Sequence, residues 1–143
     1  MKKREPINKI ILGIDPGTVI LGYGLIKITN GNPEMLAMGV VKLQKFADPY
    51  QKLGLIYSRI ESIIEEFKPD ELALEAPFFG KNVQSMLKLG RAQGIAMAPA
   101  INRNIPVFEY APRKIKQAIT GNGNASKEQV ATLIGHILKM KEE

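Results

Sequence analysis

The chain has no cysteine, so it can build neither a disulfide framework nor a thiolate zinc site. Its one histidine, His136, falls in an amphipathic C-terminal stretch and reads as a helix-surface residue, with nothing to place it near an acid. No apolar run approaches the roughly 20 residues that a membrane span requires. The opening Met1-Lys2-Lys3-Arg4-Glu5-Pro6 is basic, but no long apolar stretch follows it, so it does not read as a signal peptide and a cytoplasmic protein is expected. Internal repeats, low-complexity tracts and linkers are also missing. The 143 residues are therefore expected to form one domain, 1–143, with a sizeable core. What the chain does have is positive charge: 20 Lys and Arg against 14 Asp and Glu give +6. That excess suits a polyanionic partner, although net charge speaks to solubility as much as to nucleic acid.

Ile10-Ile11-Leu12-Gly13-Ile14 is apolar throughout and ends in Asp15-Pro16-Gly17-Thr18. An uninterrupted apolar run reads as a strand buried on both faces. Proline presets φ at the first corner of a tight turn, and Gly17 is expected to supply the positive φ of a type II corner. Asp15 is thereby left at the mouth of a sheet. It is either a turn aspartate bonded to its own backbone or a ligand for a cation or phosphate, held by a rigid strand.

Ile20 to Thr29 reads as a second strand, Asn30-Gly31-Asn32-Pro33 as a turn, and Met35 to Leu43 as a third strand of an antiparallel meander. Gly22 and Gly24 share one face of the second strand and leave it bare. Asp48-Pro49 is a helix start, and Tyr50, Leu53, Ile56, Tyr57, Ile60, Ile63, Ile64 and Phe67 then recur at helical spacing until Pro69, with Lys52, Arg59, Glu61, Glu65 and Glu66 on the other side. The short strand Asp70 to Pro77 follows, again ending in a carboxylate and a proline. A helix between two strands is what a parallel crossover needs, so this strand should lie beside the first, with Glu75 at the same edge as Asp15 and Glu71 in solvent at the other. Asn82 caps a helix running to Asn102, which carries the small residues Gly90, Gly94 and Ala98 at spacing four and should kink at Pro99. That stripe either packs on the sheet or forms a dimer seam. Ile105 to Tyr110 is a last, edge-like strand, and Pro112 starts a helix that Gly121-Asn122-Gly123-Asn124 breaks. Ser126 and Gln129 form a capping box for a final helix. The architecture expected is α/β, a mixed five-stranded sheet flanked by helices.

Two carboxylates at the ends of adjacent strands suit a divalent cation, because Mg²⁺ is commonly held by one or two carboxylates with waters and substrate phosphate. In a basic chain such a site points to phosphodiester hydrolysis with paired metals about 3.5–4 Å apart. The same acids could be structural caps. Lys81, Lys88, Arg91, Arg113, Lys114, Lys116 and Lys127 gather near these strand ends as a phosphate-binding rim, or are ordinary solvated charge. Of Phe78 and Phe79, one is expected to be buried and the other exposed for base stacking. Glu109 is read first as a structural hydrogen-bonding group.

Ile11 to Thr18 with Gly22-Tyr23-Gly24, then Leu74-Glu75-Ala76-Pro77-Phe78, Lys81-Asn82, Leu87 to Ala92, Pro106 to Tyr110 and Ile115-Lys116-Gln117, resembles the RuvC family of Holliday-junction resolvases. The match runs in family order from about Lys9 to Leu138. The resemblance implies a ribonuclease H-like fold, a homodimer, and Mg²⁺-dependent paired nicking of four-way junction DNA in recombination and repair, with two metal ions in the complete site. It also leaves room for a branch-migration motor complex as a partner. Asp15 and Glu75 match the family's first two catalytic acids. Phe78 matches an aromatic that meets unstacked bases, and Lys116 and Lys127 match basic residues on DNA phosphate. The family's further Asp-x-x-Asp pair, on a C-terminal catalytic helix, has no counterpart in these 143 residues, and Glu142 and Glu143 do not fit it. The expectation is a shortened resolvase that binds junctions but cleaves them poorly. The competing readings are a non-catalytic junction-binding relative and, from the likeness of Gly13 to Thr18 to a phosphate motif, an actin-like or sugar-kinase-like nucleotide-binding fragment.

Overall fold

The computed structural model describes residues 8–15, 17–76, 80 and 82–126, together with 128, 129, 132, 134 and 137. Pro16, Phe78, Phe79, Lys81, Lys127 and His136, singled out above, lie outside the described residues. The elements in chain order are β1 (Asn8–Asp15), β2 (Ile20–Thr29), β3 (Asn32–Lys42), α1 (Pro49–Phe67), β4 (Glu71–Glu75), α2 (Val83–Asn102), β5 (Val107–Tyr110) and α3 (Pro112–Thr120).

The sheet order is β3-β2-β1-β4-β5, with β1 at the centre. β1, β2 and β3 pair antiparallel, whereas β4 pairs parallel with β1, and β5 with β4. The hairpin between β2 and β3 follows from Asn30 and Gly31, both left-handed at φ 51° and 82°, the conformation a two-residue type I′ turn requires. β3 begins at Asn32, three residues ahead of the expected Met35, because an edge strand tolerates Pro33 without losing a ladder bond. β5 begins at Val107, two residues later than expected.

Local chemistry accounts for the helices. Asp48 accepts a hydrogen bond from the Tyr50 N–H at 2.9 Å with Pro49 at the first position, and Lys68, at φ 48°, closes α1 before Pro69. Asn82 caps α2 by accepting from the Ser85 N–H at 3.1 Å. α2 continues past Pro99, which is fully buried, and the Arg103 guanidinium donates to the Pro99 carbonyl at 3.2 Å. Gly121, at φ 77°, ends α3. Ser126 and Gln129 exchange the two bonds of a capping box at 2.9 and 3.1 Å, and Glu128, Gln129, Thr132, Ile134 and Ile137 are helical.

Leu12 and Ile14 of β1, Leu21 and Leu25 of β2, and Leu72 and Leu74 of β4 form one core with Ile56, Ile60, Ile63 and Ile64 of α1 and Ala92, Ala96 and Ala100 of α2. Alanines on α2 bring that helix close, so the bulk of the layer comes from the strands and α1. On the other face of β1, Ile11 and Gly13 are only half-buried, which corrects the expectation of a strand buried on both faces. The alternation of a strand sends only every second residue towards α1 and α2. Glu71, expected in solvent, is also corrected: it accepts from Lys9 Nζ at 2.6 Å across β1 and β4, and its side chain is only 22% exposed. Beside it, Asp70 takes the Ile10 N–H on its carboxylate at 2.8 Å and returns its own N–H to the Ile10 carbonyl at 2.7 Å. These bonds set the β1–β4 register at the end away from Asp15.

Candidate carboxylate site and nucleic-acid face

The β1–β4 register pairs Leu12 with Leu72, Gly13 with Ala73 and Ile14 with Leu74. One step further along both strands, Asp15 and Glu75 stand side by side. Residues in register on parallel neighbours point to the same face, on backbones about 4.8 Å apart. The two acids, sixty residues apart in sequence, therefore share one rim and one face, opposite the core side chains Ile14 and Leu74. Asp15 is exposed and Glu75 half-buried.

The floor beside them is bare. Gly22 is the β2 partner of Asp15, and a Cβ on it would only just touch the Asp15 Cβ, at 3.8 Å. Gly24 pairs with Gly13, and a Cβ added to it would meet nothing within 4 Å. On the other flank Tyr110, 46% exposed, is in register with Glu75 and so shares its face, a placement no sequence motif disclosed. Glu109 pairs with Leu74 and belongs to the opposite face. Among the described residues no group of three or more acids or histidines gathers. Two carboxylates over a glycine floor fit the ligand demand of Mg²⁺, whose remaining positions are usually filled by water and phosphate.

Gly17 is needed for a different reason from the one expected. Its φ is not in the left-handed region; instead, a Cβ there would sit 2.2 Å from the Ile20 carbonyl oxygen. The turn after Asp15 folds back so closely on β2 that only glycine fits. The end of β4 is secured by Gln93, 6% exposed and the one buried polar side chain among the described residues, which donates from Nε2 to the Glu75 carbonyl at 3.1 Å. The reason lies in the ladder. Leu72 and Ala76 donate to Pro106 and Tyr110, so the backbone groups of even-numbered β4 residues face β5 and those of Glu75 face β1. The donor due at the Glu75 carbonyl is the N–H of residue 16, which is proline and has none. Gln93 supplies the missing donor, a role visible only once register is known.

The basic residues divide into groups. Lys88 and Arg91, exposed on α2, line a cavity against the Gly17–Val19 turn. Arg113 and Lys114 are exposed and Lys116 half-buried on α3, which starts from the rim that β5 shares with Glu75. The Arg113 side chain lies over Gly123, its Cγ 2.7 Å from where a Cβ would stand. The remaining expected contacts, Phe78, Lys81 and Lys127, are outside the described residues.

A mixed sheet with an antiparallel meander, two parallel strands and helices α1 and α2 packed on one face is a ribonuclease H-like architecture, and here the two adjacent central strands end in acids. The family model for crossover junction endodeoxyribonuclease RuvC matches residues 11–143. The RuvC proteins of Bacteroides fragilis and Porphyromonas gingivalis are 64% and 59% identical to it, over 97% of this chain and 74% of theirs. The structure of Thermus thermophilus RuvC in complex with Holliday junction substrate superposes with a TM-score of 0.87 at 32% identity, covering 94% of this chain and 82% of that one. The chain belongs to the RuvC family of crossover junction endodeoxyribonucleases.

Proposed function

We propose that these 143 residues act as one ribonuclease H-like nuclease domain that recognises four-way junction DNA and nicks it in paired, Mg²⁺-dependent fashion, in recombination and repair. The observation that carries this reading is the register that ends β1 and β4 on Asp15 and Glu75 at one rim. A divalent ion held by these acids would supply an activated water and charge stabilisation at the scissile phosphate. The chain's own part is to fix both carboxylates on central strands, to leave a glycine floor where a DNA strand can approach, and to hold phosphates with Arg113, Lys114 and Lys116. Phe78 and Lys127 are assigned to DNA contact on the family resemblance, and Lys81 as part of the basic rim. The single core cluster supports one domain.

Paired nicks on a symmetric substrate call for two sites related by a twofold axis, so the working unit is a homodimer. The α2 stripe of small residues favours the partner over the sheet. Val83, Leu87 and Ile101 are 66%, 61% and 59% exposed, Gly90 and Gly94 lie between them facing outward, and a different set, Ala92, Ala96 and Ala100, meets the core. No helix among the described residues is long and apolar enough to cross a membrane; work on chromosomal DNA favours a cytoplasmic location. A branch-migration motor would be a further partner there.

Within these 143 residues the metal reading rests on Asp15 and Glu75. Binding and chemistry are therefore read separately. In a metal-free gel shift, wild type, Asp15→Asn and Glu75→Gln should all retain a synthetic four-way junction in preference to linear duplex. Mn²⁺ should broaden amide resonances around residues 13–15 and 73–75 in wild type but not in Asp15→Asn, and nicking should vanish in both variants. Junction binding with no Mn²⁺ effect at these strand ends would make the chain a binding relative without catalysis. Failure to prefer the junction would remove the resolvase reading.

A further inference from the structure

On the helix side of the turn that follows Asp15, a cavity of about 360 Å³ opens between that turn, the start of α1 and the first half of α2. Leu43, Ile56 and Ala92, all buried, give it an apolar floor together with Leu53, while Lys52, Lys88 and Arg91 bring three cations to it from two helices. Among the described residues no acid lines the cavity, and none of the three cations has an ion-pair partner. Asp48, which precedes α1, accepts the Tyr50 N–H at 2.9 Å. Tyr50, expected on the apolar face of α1, is instead 73% exposed at the cavity, ahead of the first α1 residue that is buried, Ile56, and its large ring is left mostly in water.

Unpaired cations around an apolar floor, with a solvated aromatic at the mouth, are complementary to a group that is anionic on one side and flat and apolar on the other. A nucleotide is such a group: phosphates draw on Lys and Arg, and any base offers a π-face for stacking. The volume is in the range of small-ligand sites, about 300–1,000 Å³, and too small for a duplex, whose bases are in any case presented only at groove edges. We propose that this cavity takes one unstacked nucleotide of the DNA strand, its phosphate on Lys52, Lys88 and Arg91 and its base between Tyr50 and the floor. The wall it would press on is the turn that carries Asp15, so its occupancy holds the strand within a few residues of the carboxylates. The inference rests on the nuclease reading and adds to it a second anchoring point, on the opposite side of the turn from the carboxylate face.

The test is fluorescence anisotropy of the full chain with a fluorescein-labelled synthetic four-way junction and a linear duplex, without metal, across a NaCl series. Lys52→Ala/Lys88→Ala should lower the slope of log affinity against log salt by about 1.4–1.8. Tyr50→Ala should weaken junction binding about tenfold with the salt slope unchanged, and leave duplex binding alone. Lys27→Ala, at the far end of β2, should change neither. Wild-type affinity and slope in both cavity variants would overturn the site. A lysine effect with a neutral Tyr50→Ala would overturn the nucleotide assignment, leaving a phosphate contact only. A wild-type protein that does not distinguish junction from duplex signals failure of the nuclease reading instead.

Discussion

Replacing Gln93 with methionine keeps the length and most of the volume of the side chain but removes the donor that bonds the Glu75 carbonyl at 3.1 Å. The proline at position 16 offers no N–H in exchange, and Gln93 itself is 6% exposed, so little water reaches the position of its amide. Losing one hydrogen bond at a half-buried carbonyl costs about 1–2 kcal/mol, and the more apolar methionine returns a fraction of about 1 kcal/mol through burial. A net loss of about 1 kcal/mol should lower Tm by about 4 °C in a domain of this size, measured by circular dichroism. The strand end that loses its anchor is the one bearing Glu75, so the stabilisation by Mg²⁺ that the proposed metal site predicts should also shrink. A Gln93→Met protein with the wild-type Tm and the wild-type response to Mg²⁺ would refute the argument that the amide stands in for a missing ladder donor.

Three further outcomes follow from the geometry. Gly17→Ala puts a methyl 2.2 Å from the Ile20 carbonyl oxygen, a backbone atom that cannot swing aside, so urea denaturation should show a loss of about 1–3 kcal/mol and junction nicking should fall with it. The Glu71 carboxylate, first by hydrogen bond and then by charge, raises the Lys9 pKa, so this contribution to stability is complete below the ordinary lysine pKa and disappears as pH climbs through the raised one. Glu71→Gln should accordingly lower the urea midpoint slightly at neutral pH, and the difference from wild type should close in strong alkali; a difference that persisted there would contradict it. Leu87→Glu places a charge on the outward stripe of α2, and sedimentation should show dimer giving way to monomer with the far-ultraviolet spectrum unchanged.

Much of the molecule was legible because its causes are local. Asp48 and Asn82 cap the helices they were expected to cap, Asn30-Gly31 turns the hairpin, and Ser126 and Gln129 make their reciprocal bonds, since each device operates within about four residues of chain. The parallel placement of β4 beside β1 was also inferable, because a chain that has just made a helix returns in the same direction. Glu71 was misjudged for the opposite reason: whether an acid at a strand entrance meets solvent or a lysine depends on which neighbour arrives there, and Lys9 is sixty-two residues away. The turn after Asp15 shows the same limit. Glycine was correctly read as necessary, but the cause is a close approach to Ile20 rather than a positive φ.

Sequence alone determined that the chain makes five strands and their helices, that it carries net positive charge, and that two acids close apolar strands, because side-chain periodicity and turn chemistry are written in order along the chain. Only the tertiary structure decided which of those groups meet. Register set Asp15 beside Glu75 and sent Glu109 to the other face; the packing of α2 turned its alanines inward and its glycines out; and a missing N–H at residue 16 gave Gln93 its task. Each of those outcomes depends on contacts between segments far apart in the chain, and a contact has no energy until both partners are in place.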